Sequence, residues 1–310
     1  MLHPRFTLAA GALALIAAFP VSVFAADADA IVVTATRQAQ RTNELLADVS
    51  VITREEVEAA GQTTLSDLLA RQPGVEAATS GAPGSASSVF IRGANSEHTL
   101  VLIDGMRVNS ATLGTTSLSR IPLSQVERIE IVRGPASALY GSEAIGGVIQ
   151  IFTKQGGGPS AVNLEAAYGT YNTSKLSAGM SGEKDGLRYS VQANFDNTDG
   201  FSNVRNQRNG AYNPERDGFS NAALTGNLAY RFNKDHELGV NVLHSDGRNR
   251  YDGGYSPASA ARDYRNDIGV GSYTLYSRTR TTAVCKRTLR PGPAAAAARS
   301  ATERDTPSPA

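Results

Sequence analysis

The feature that most constrains this chain is a strict period of two between residues 187 and 196. Leu187, Tyr189, Val191, Ala193 and Phe195 alternate with Arg188, Ser190, Gln192, Asn194 and Asp196, which gives one extended segment an apolar face and a polar face. The alternation returns twice. Leu224, Leu228, Tyr230 and Phe232 face away from Thr225, Asn227, Arg231 and Asn233, and Leu238, Val240 and Val242 face away from Glu237 and Asn241. Short turns at 183–186 and 233–236 separate these runs, whereas longer polar loops cover 199–218 and 247–266. Such a layout describes either a transmembrane barrel, apolar towards lipid and polar towards its lumen, or a soluble β-sandwich.

The first residues decide the compartment. Arg5, the apolar run from Phe6 to Phe19 and the small-residue ending Val23-Phe24-Ala25 form the pattern of a secretory signal peptide (residues 1–25) cleaved near Ala25. Beyond it the sequence offers no stretch of about twenty apolar residues, so a membrane-spanning form of this chain has to be a barrel. A net charge of +1 gives no reason to expect nucleic acid as a partner. The single Cys285 excludes an internal disulfide, and His3, His98, His236 and His244 have no zinc-ligand spacing. Neither a phosphate-binding loop nor a nucleophile elbow is present, so the chain does not read as an enzyme.

Between these zones, residues 48–157 read as a mixed α+β domain. Thr53-Arg54-Glu55-Glu56 is a capping box that opens a helix Gly61 can end, and a second helix over 64–72 stops at Pro73-Gly74. Strands are expected over 88–92, 99–104 and 126–132, with Pro122 at the start of a short helix before the last. The stretch from Arg128 to Thr153 then places Ile129 and Ile131 on one strand face and Arg128 and Glu130 on the other, followed by glycine-punctuated turns and a second apolar strand. Taken alone, that stretch also suits an ordinary α+β core. Upstream, Ile31-Val32-Val33-Thr34-Ala35-Thr36-Arg37 is a β-prone island in residues 26–47, suited either to be the first strand of the next domain or to add a strand to a partner's sheet. Residues 281–310 carry no period of two and read as a disordered tail, or as the result of a frame change after Thr279.

In this order, the island IVVTATR, the segments PGV (73–75), FIRG (90–93) and LIDG (102–105), the run RGPASALYGSEAIGGV and the alternating hairpins resemble the TonB-dependent outer-membrane receptors, within them most of all the cobalamin (vitamin B12) branch. The resemblance covers about residues 31–277. It implies an α+β plug domain (48–157) followed by the first strands of an antiparallel transmembrane β-barrel (158–280). It also implies a mature protein in the outer membrane of a Gram-negative bacterium, among outer-membrane lipid.

By the same resemblance, Ile31, Val32, Val33, Thr34 and Ala35 would be the TonB box that pairs with periplasmic TonB. Ala86, Ser88, Asn95, Leu113 and Gly114 match positions that touch ligand. Ser88 and Asn95 offer hydrogen bonds to the amide side chains of a corrinoid. Asn213, Glu215, Asp217, Tyr251, Asp252, Gly253 and Asp263 match a calcium-binding set on the long loops, where six to eight oxygens are needed. Two departures stand out: Ser202 takes the place of a carboxylate, and Glu215 that of a shorter acid. The function implied is active uptake of cobalamin into the periplasm. A ferric-siderophore receptor of the same family is a second reading. A third is a non-transporting fragment containing the plug, because about six strands fall short of the roughly twenty-two that the resemblance implies. If the alternation breaks off through a frame change, translating the other two frames downstream of Thr279 will reveal further alternating strands; a coding sequence without them would contradict that expectation.

Overall fold

The computed structural model describes residues 32–33, 40–41, 48–61, 64–79, 81, 84–110, 114, 116–202, 215–251, 264–280 and 286–289. The expected signal peptide lies outside these residues, as does most of the expected tail.

A short ladder precedes the main domain: β1 (Val32–Val33) pairs antiparallel with β2 (Gln40–Arg41). The domain begins with β3 (Asp48–Ile52), and both of its following helices open on capping boxes. Thr53 accepts from the Glu56 amide at 3.4 Å while its own amide donates to Glu56 Oε2 at 2.8 Å, starting α1 (Arg54–Ala59). Thr64 and Asp67 repeat the arrangement at α2 (Leu65–Ala70). A hairpin follows, β4 (Val75–Thr79) with β5 (Ser87–Ile91), and then β6 (Thr99–Ile103), β7 (Met106–Arg107), β8 (Val126–Arg133), the short α3 (Ser137–Tyr140) and β9 (Gly147–Thr153). Pro122 stands just ahead of a single 3-10 turn, Leu123–Gln125, where a short helix was expected.

The order β3-β8-β9-β6-β7 makes a five-stranded sheet whose only parallel pair is β6 with β9. Ile52, Leu69, Ile91, Ile129, Ile131, Ile149 and Ile151 are shut off from water entirely. Burying aliphatic side chains of this size stabilises by about 1.5–3 kcal/mol each. β8 lies between β3 and β9 in this sheet, and Glu130, on the face opposite Ile129 and Ile131, is buried as they are. Its carboxylate accepts from Arg128 Nε at 3.0 Å, and the Arg128 guanidinium stacks 3.7 Å from the Phe152 ring centre.

The second part is a single antiparallel meander: β10 (Ala161–Gly169), β11 (Thr173–Lys184), β12 (Leu187–Thr198), β13 (Phe219–Arg231), β14 (His236–Tyr251), β15 (Tyr264–Arg280) and the short β16 (Lys286–Leu289). Asp185 and Gly186, both at positive φ, make the two-residue β11–β12 turn. The strands run further than the sequence pattern suggested: β14 continues to Tyr251 and β15 starts at Tyr264, so the second long loop is shorter than 247–266. β16 pairs with 277–280 inside the expected tail, since ladder pairing draws on backbone groups and needs no apolar alternation.

Burial along this sheet is inverted relative to a water-soluble protein. Leu176, Met180, Val191, Phe195, Leu224, Leu228, Tyr273 and Leu275 are exposed, while Ser177, Gln192, Asn194, Thr225, Asn227, Asn241 and Thr274 are buried. The apolar side chains face outward, and the polar ones line the face that packs on the first domain. Cross-strand register adds a geometric check. Row by row, Ser174, Asn197, Ser220, Arg248 and Asp267 stand abreast on the outer face, but the apolar stripe ends at a different height on each strand. On β10 it reaches Tyr168, while on β15 it stops at Tyr273, whose row meets β10 at Val162. At about 3.3 Å per residue and about 4.8 Å per strand, that fall amounts to roughly 20 Å over roughly 24 Å, a slope of about 40°. Transmembrane barrel strands tilt by about 35–45°, so the edge of the apolar band runs level once the strands are tilted that way. Among the described residues the sheet does not return on itself.

Depth within this band sets the cost of a charge. In the full-length protein folded into phospholipid vesicles, Leu228→Arg at mid-band is expected to lower unfolding stability by roughly 2–4 kcal/mol, and Ser220→Arg above the band by roughly 0–1 kcal/mol, in denaturant titrations. Equal costs would contradict the lipid-facing assignment.

Candidate functional site

The meander's two long connections, between Thr198 and Phe219 and between Tyr251 and Tyr264, lie at one end together with the short 170–172 turn, and the 185–186 and 232–235 turns lie at the other. The expected ligand-contacting residues fall into two groups on the first domain.

The first group surrounds the β4–β5 connection. Ala86 is exposed and Ser88 half-buried, opposite Ala78 in the hairpin. Ser85 and Ser87 are buried, and neither hydroxyl has a hydrogen-bond partner among the described residues. This loop touches the sheet through Gly84, which lies at φ 87° flat against Phe219; a Cβ there would come 1.9 Å from Phe219 Cδ2. Ser119 Oγ donates to the Gly84 carbonyl at 3.5 Å. Phe219 opens β13 directly after the first long loop, so the plug loop and that loop's root share a contact.

The second group forms around Asn95 and Gly114. Asn95 is exposed, and its carbonyl accepts from the His98 amide at 2.8 Å, closing the 3-10 turn Ser96–His98. Gly114 lies beside Glu97, so the structure brings two residues far apart in sequence to one place. Asn109, which sequence reasoning missed, holds them: its Nδ2 donates to the carbonyls of Gly114 at 2.8 Å and Thr99 at 3.1 Å, and its Oδ1 accepts from the Val101 amide at 2.9 Å. All of its amide capacity but one acceptor site is in use, inside the protein. Leu113 lies outside the described residues.

Of the seven expected metal-binding residues, Asn213, Asp252, Gly253 and Asp263 lie outside the described residues. Glu215 is half-buried, Asp217 is closed off from water at the foot of the first long loop, and Tyr251 ends β14. Among the described residues no three His, Cys, Asp or Glu side chains are grouped to hold a metal ion. Within the expected TonB box, Val32 and Val33 are described, and their backbone already pairs with Gln40 and Arg41; Ile31, Thr34 and Ala35 lie outside.

A second residue that sequence reasoning missed is Arg120, fully buried where the first domain meets the sheet. Its Nη2 donates to Asn249 Oδ1 at 3.1 Å and its Nη1 to the Ser220 carbonyl at 3.5 Å, and its guanidinium lies 5.0 Å from the centre of the Phe219 ring. Ser245 Oγ donates to the Arg120 carbonyl at 2.8 Å. Desolvation pushes its pKa down to about 10, partly offset by the charge of Asp267. At the opposite end of the domain, Asp104 accepts from the Thr153 amide and hydroxyl at 3.0 and 2.6 Å, and Asn227 of β13 donates to Thr153 Oγ1 at 3.1 Å and to the Lys154 carbonyl at 2.9 Å. A third polar cluster, at the start of the sheet, has Asp48 accepting from both Arg92 and Arg133.

Comparison with known proteins places this geometry. Residues 41–148 match the model of the TonB-dependent receptor plug domain. The chain belongs to the TonB-dependent receptor family. It is 37% identical over 260 residues to a vitamin B12 transporter, BtuB, of Photobacterium profundum, covering 82% of this chain and 42% of that protein. Among solved structures it resembles a mutant of the ferric enterobactin receptor PfeA of Pseudomonas aeruginosa (28% identity, TM-score 0.63, 76% of this chain and 39% of that one). It also resembles the siderophore receptor PirA of Acinetobacter baumannii (28% identity, TM-score 0.63, 77% and 38%). The chain therefore spans less than half the length of these relatives. The first domain is the plug, the meander is part of a receptor barrel, and the family consists of transporters rather than enzymes.

Asn109 gives a direct check on the second group. Asn109→Ala leaves the buried Thr99 carbonyl and Val101 amide without their partner, at about 1–3 kcal/mol each, while the part-buried Gly114 carbonyl can turn to water. It is expected to destabilise the plug by roughly 2–4 kcal/mol in denaturant unfolding and to raise protease sensitivity at 110–116. Wild-type stability would contradict the role assigned to the amide.

Proposed function

We propose that this chain serves active uptake of cobalamin across a Gram-negative outer membrane. The observation that carries the reading is the match to a vitamin B12 transporter, which runs through plug and barrel strands alike. Ligand would settle on the plug surface at Ala86, Ser88, Asn95, Leu113 and Gly114. There the Ser88 hydroxyl and the exposed Asn95 amide can each donate and accept, as the peripheral amides of a corrinoid require. No bond in the ligand is made or broken. What the residues do is bind, orient and release.

Asn213, Glu215, Asp217, Tyr251, Asp252, Gly253 and Asp263 supply oxygen donors of the kind calcium takes, and a carboxylate closed off from water at the loop's foot, as Asp217 is, suits a cation partner. Calcium bound there would draw the loop carboxylates together over the ligand. On the other side of the membrane, Ile31 to Ala35 would present a strand to TonB, whose main-chain pairing needs little from the side chains. The existing pairing of Val32–Val33 with Gln40–Arg41 would have to open first. The likeness to the PfeA and PirA structures favours a ferric siderophore as the second reading.

Equilibrium binding to the full-length protein separates the two. Saturable cobalamin binding that weakens at least about tenfold when calcium is chelated is expected, with no competition from ferric enterobactin; absence of cobalamin binding would sink the reading. Val33→Pro, which removes a ladder donor, is expected to leave that binding unchanged and to abolish uptake by cells. Uptake at the wild-type rate would contradict the role of the box.

A further inference from the structure

We infer that Arg120 is a positioning residue that clamps the ligand-facing plug loop to the roots of both long barrel loops. Three elements converge on it. Its guanidinium reaches Ser220 on β13, immediately after the first long loop, and Asn249 on β14, two residues before the end of the strand that leads into the second. The same guanidinium lies over Phe219, which also packs against Gly84 of the plug loop that continues into Ser85 and Ser88. Behind it, the single proton of Ser245 Oγ lies within reach of the Arg120 carbonyl at 2.8 Å and Asn221 Oδ1 at 3.0 Å, tying the Arg120 backbone to β14.

The surroundings are shaped for this side chain. Asn221 and Gly247 stand opposite each other in the β13–β14 ladder. A Cβ on Gly247 would come 1.9 Å from Arg120 Nη1 and 2.6 Å from Asn221 Oδ1, so only glycine leaves room for the fork. Gly84 leaves the corresponding room for Phe219. A guanidinium taken wholly out of water is a poor way to gain stability alone, because an apolar side chain of similar volume fills such a site at least as well. Its directional hydrogen bonds instead fix one rotation of the plug against the wall. That rotation sets Gly84, at the start of the Ser85–Ser88 segment, against Phe219 at the root of the first long loop.

The test uses the full-length protein folded in detergent micelles. Amide hydrogen exchange and thermal unfolding are measured for wild type, Arg120→Met, Arg120→Lys, Gly247→Ala and the Met/Ala double variant. Arg120→Met and Gly247→Ala, altered on opposite sides of the contact, are each expected to speed exchange at least about tenfold in 84–91 and 215–221, while β6 and β9 exchange as in wild type and the melting temperature holds. Arg120→Lys should fall between, and the double variant should go no further than the larger single change. Unchanged exchange, a uniform rise that includes β6 and β9, or additive effects would overturn the inference. Should Arg120→Met fail to fold, Gly247→Ala and Arg120→Lys decide by the same criteria. Where wild type binds cobalamin, Arg120→Met should weaken that binding at least about tenfold, and unchanged affinity would count against the clamp. This last arm rests on the uptake reading; if wild type binds no cobalamin, that reading fails while the exchange measurements still decide the clamp.

Discussion

A strand that leaves water for lipid must satisfy each of its backbone N–H and C=O groups on a neighbouring strand, and everything else in this protein follows from that requirement. Pairing in a continuous meander satisfies the backbone of β11 to β14 on both edges, and the period of two then forces alternate side chains to opposite faces. Lipid takes the apolar set. The polar set is left pointing into an interior that would hold water if nothing filled it. The plug is what fills it, and its own surface must therefore be polar where it meets Asn194, Asn227, Ser245 and Asn249, and apolar only where Leu243 and Val270 join its core.

This explains why hydrogen bonds carry much of the contact between plug and wall beside the apolar patch at Leu243 and Val270. Near the short-turn end, Asp104, Thr153 and Asn227 form a chain from a plug turn to β13. Near the long-loop end, Arg120 reaches β13 and β14 together. Directional bonds of this kind fix an orientation and can exchange partners with water where an apolar seam cannot. Asp48, which lies at the entry to β3 and bridges Arg92 and Arg133, ties the first plug strand to the rest of the plug.

Much of this was legible in the sequence, for physical reasons that differ by element. Period-two strands declare themselves because side-chain direction alternates regardless of context, and Leu187 to Asp196 did so residue by residue. The Thr53 capping box is equally local. The burial of Glu130 left no local signal, because it depends on how β8 packs beside β3, a pairing between residues about eighty positions apart. Asn109 and Arg120 left no local signal, since an asparagine after a short strand and an arginine before an Ile-Pro pair read as ordinary loop residues; their roles come from Gly114, Thr99, Asn249 and Ser220, brought near by the fold. For the candidate site, the family resemblance pointed to Ser88, Asn95 and Gly114 one by one, and the structure brings Asn95 and Gly114 to one place.

The central claim is that β10 to β15 form a lipid-facing wall around the plug, and the sequence contains no tryptophan to interfere with a reporter. Single tryptophans at Val191 and Gln192, neighbours on β12 with opposite outlooks, can be read by fluorescence quenching in vesicles of brominated phospholipid. The account predicts strong quenching for Val191→Trp and little for Gln192→Trp. Equal quenching at both positions, or the reverse order, would contradict it.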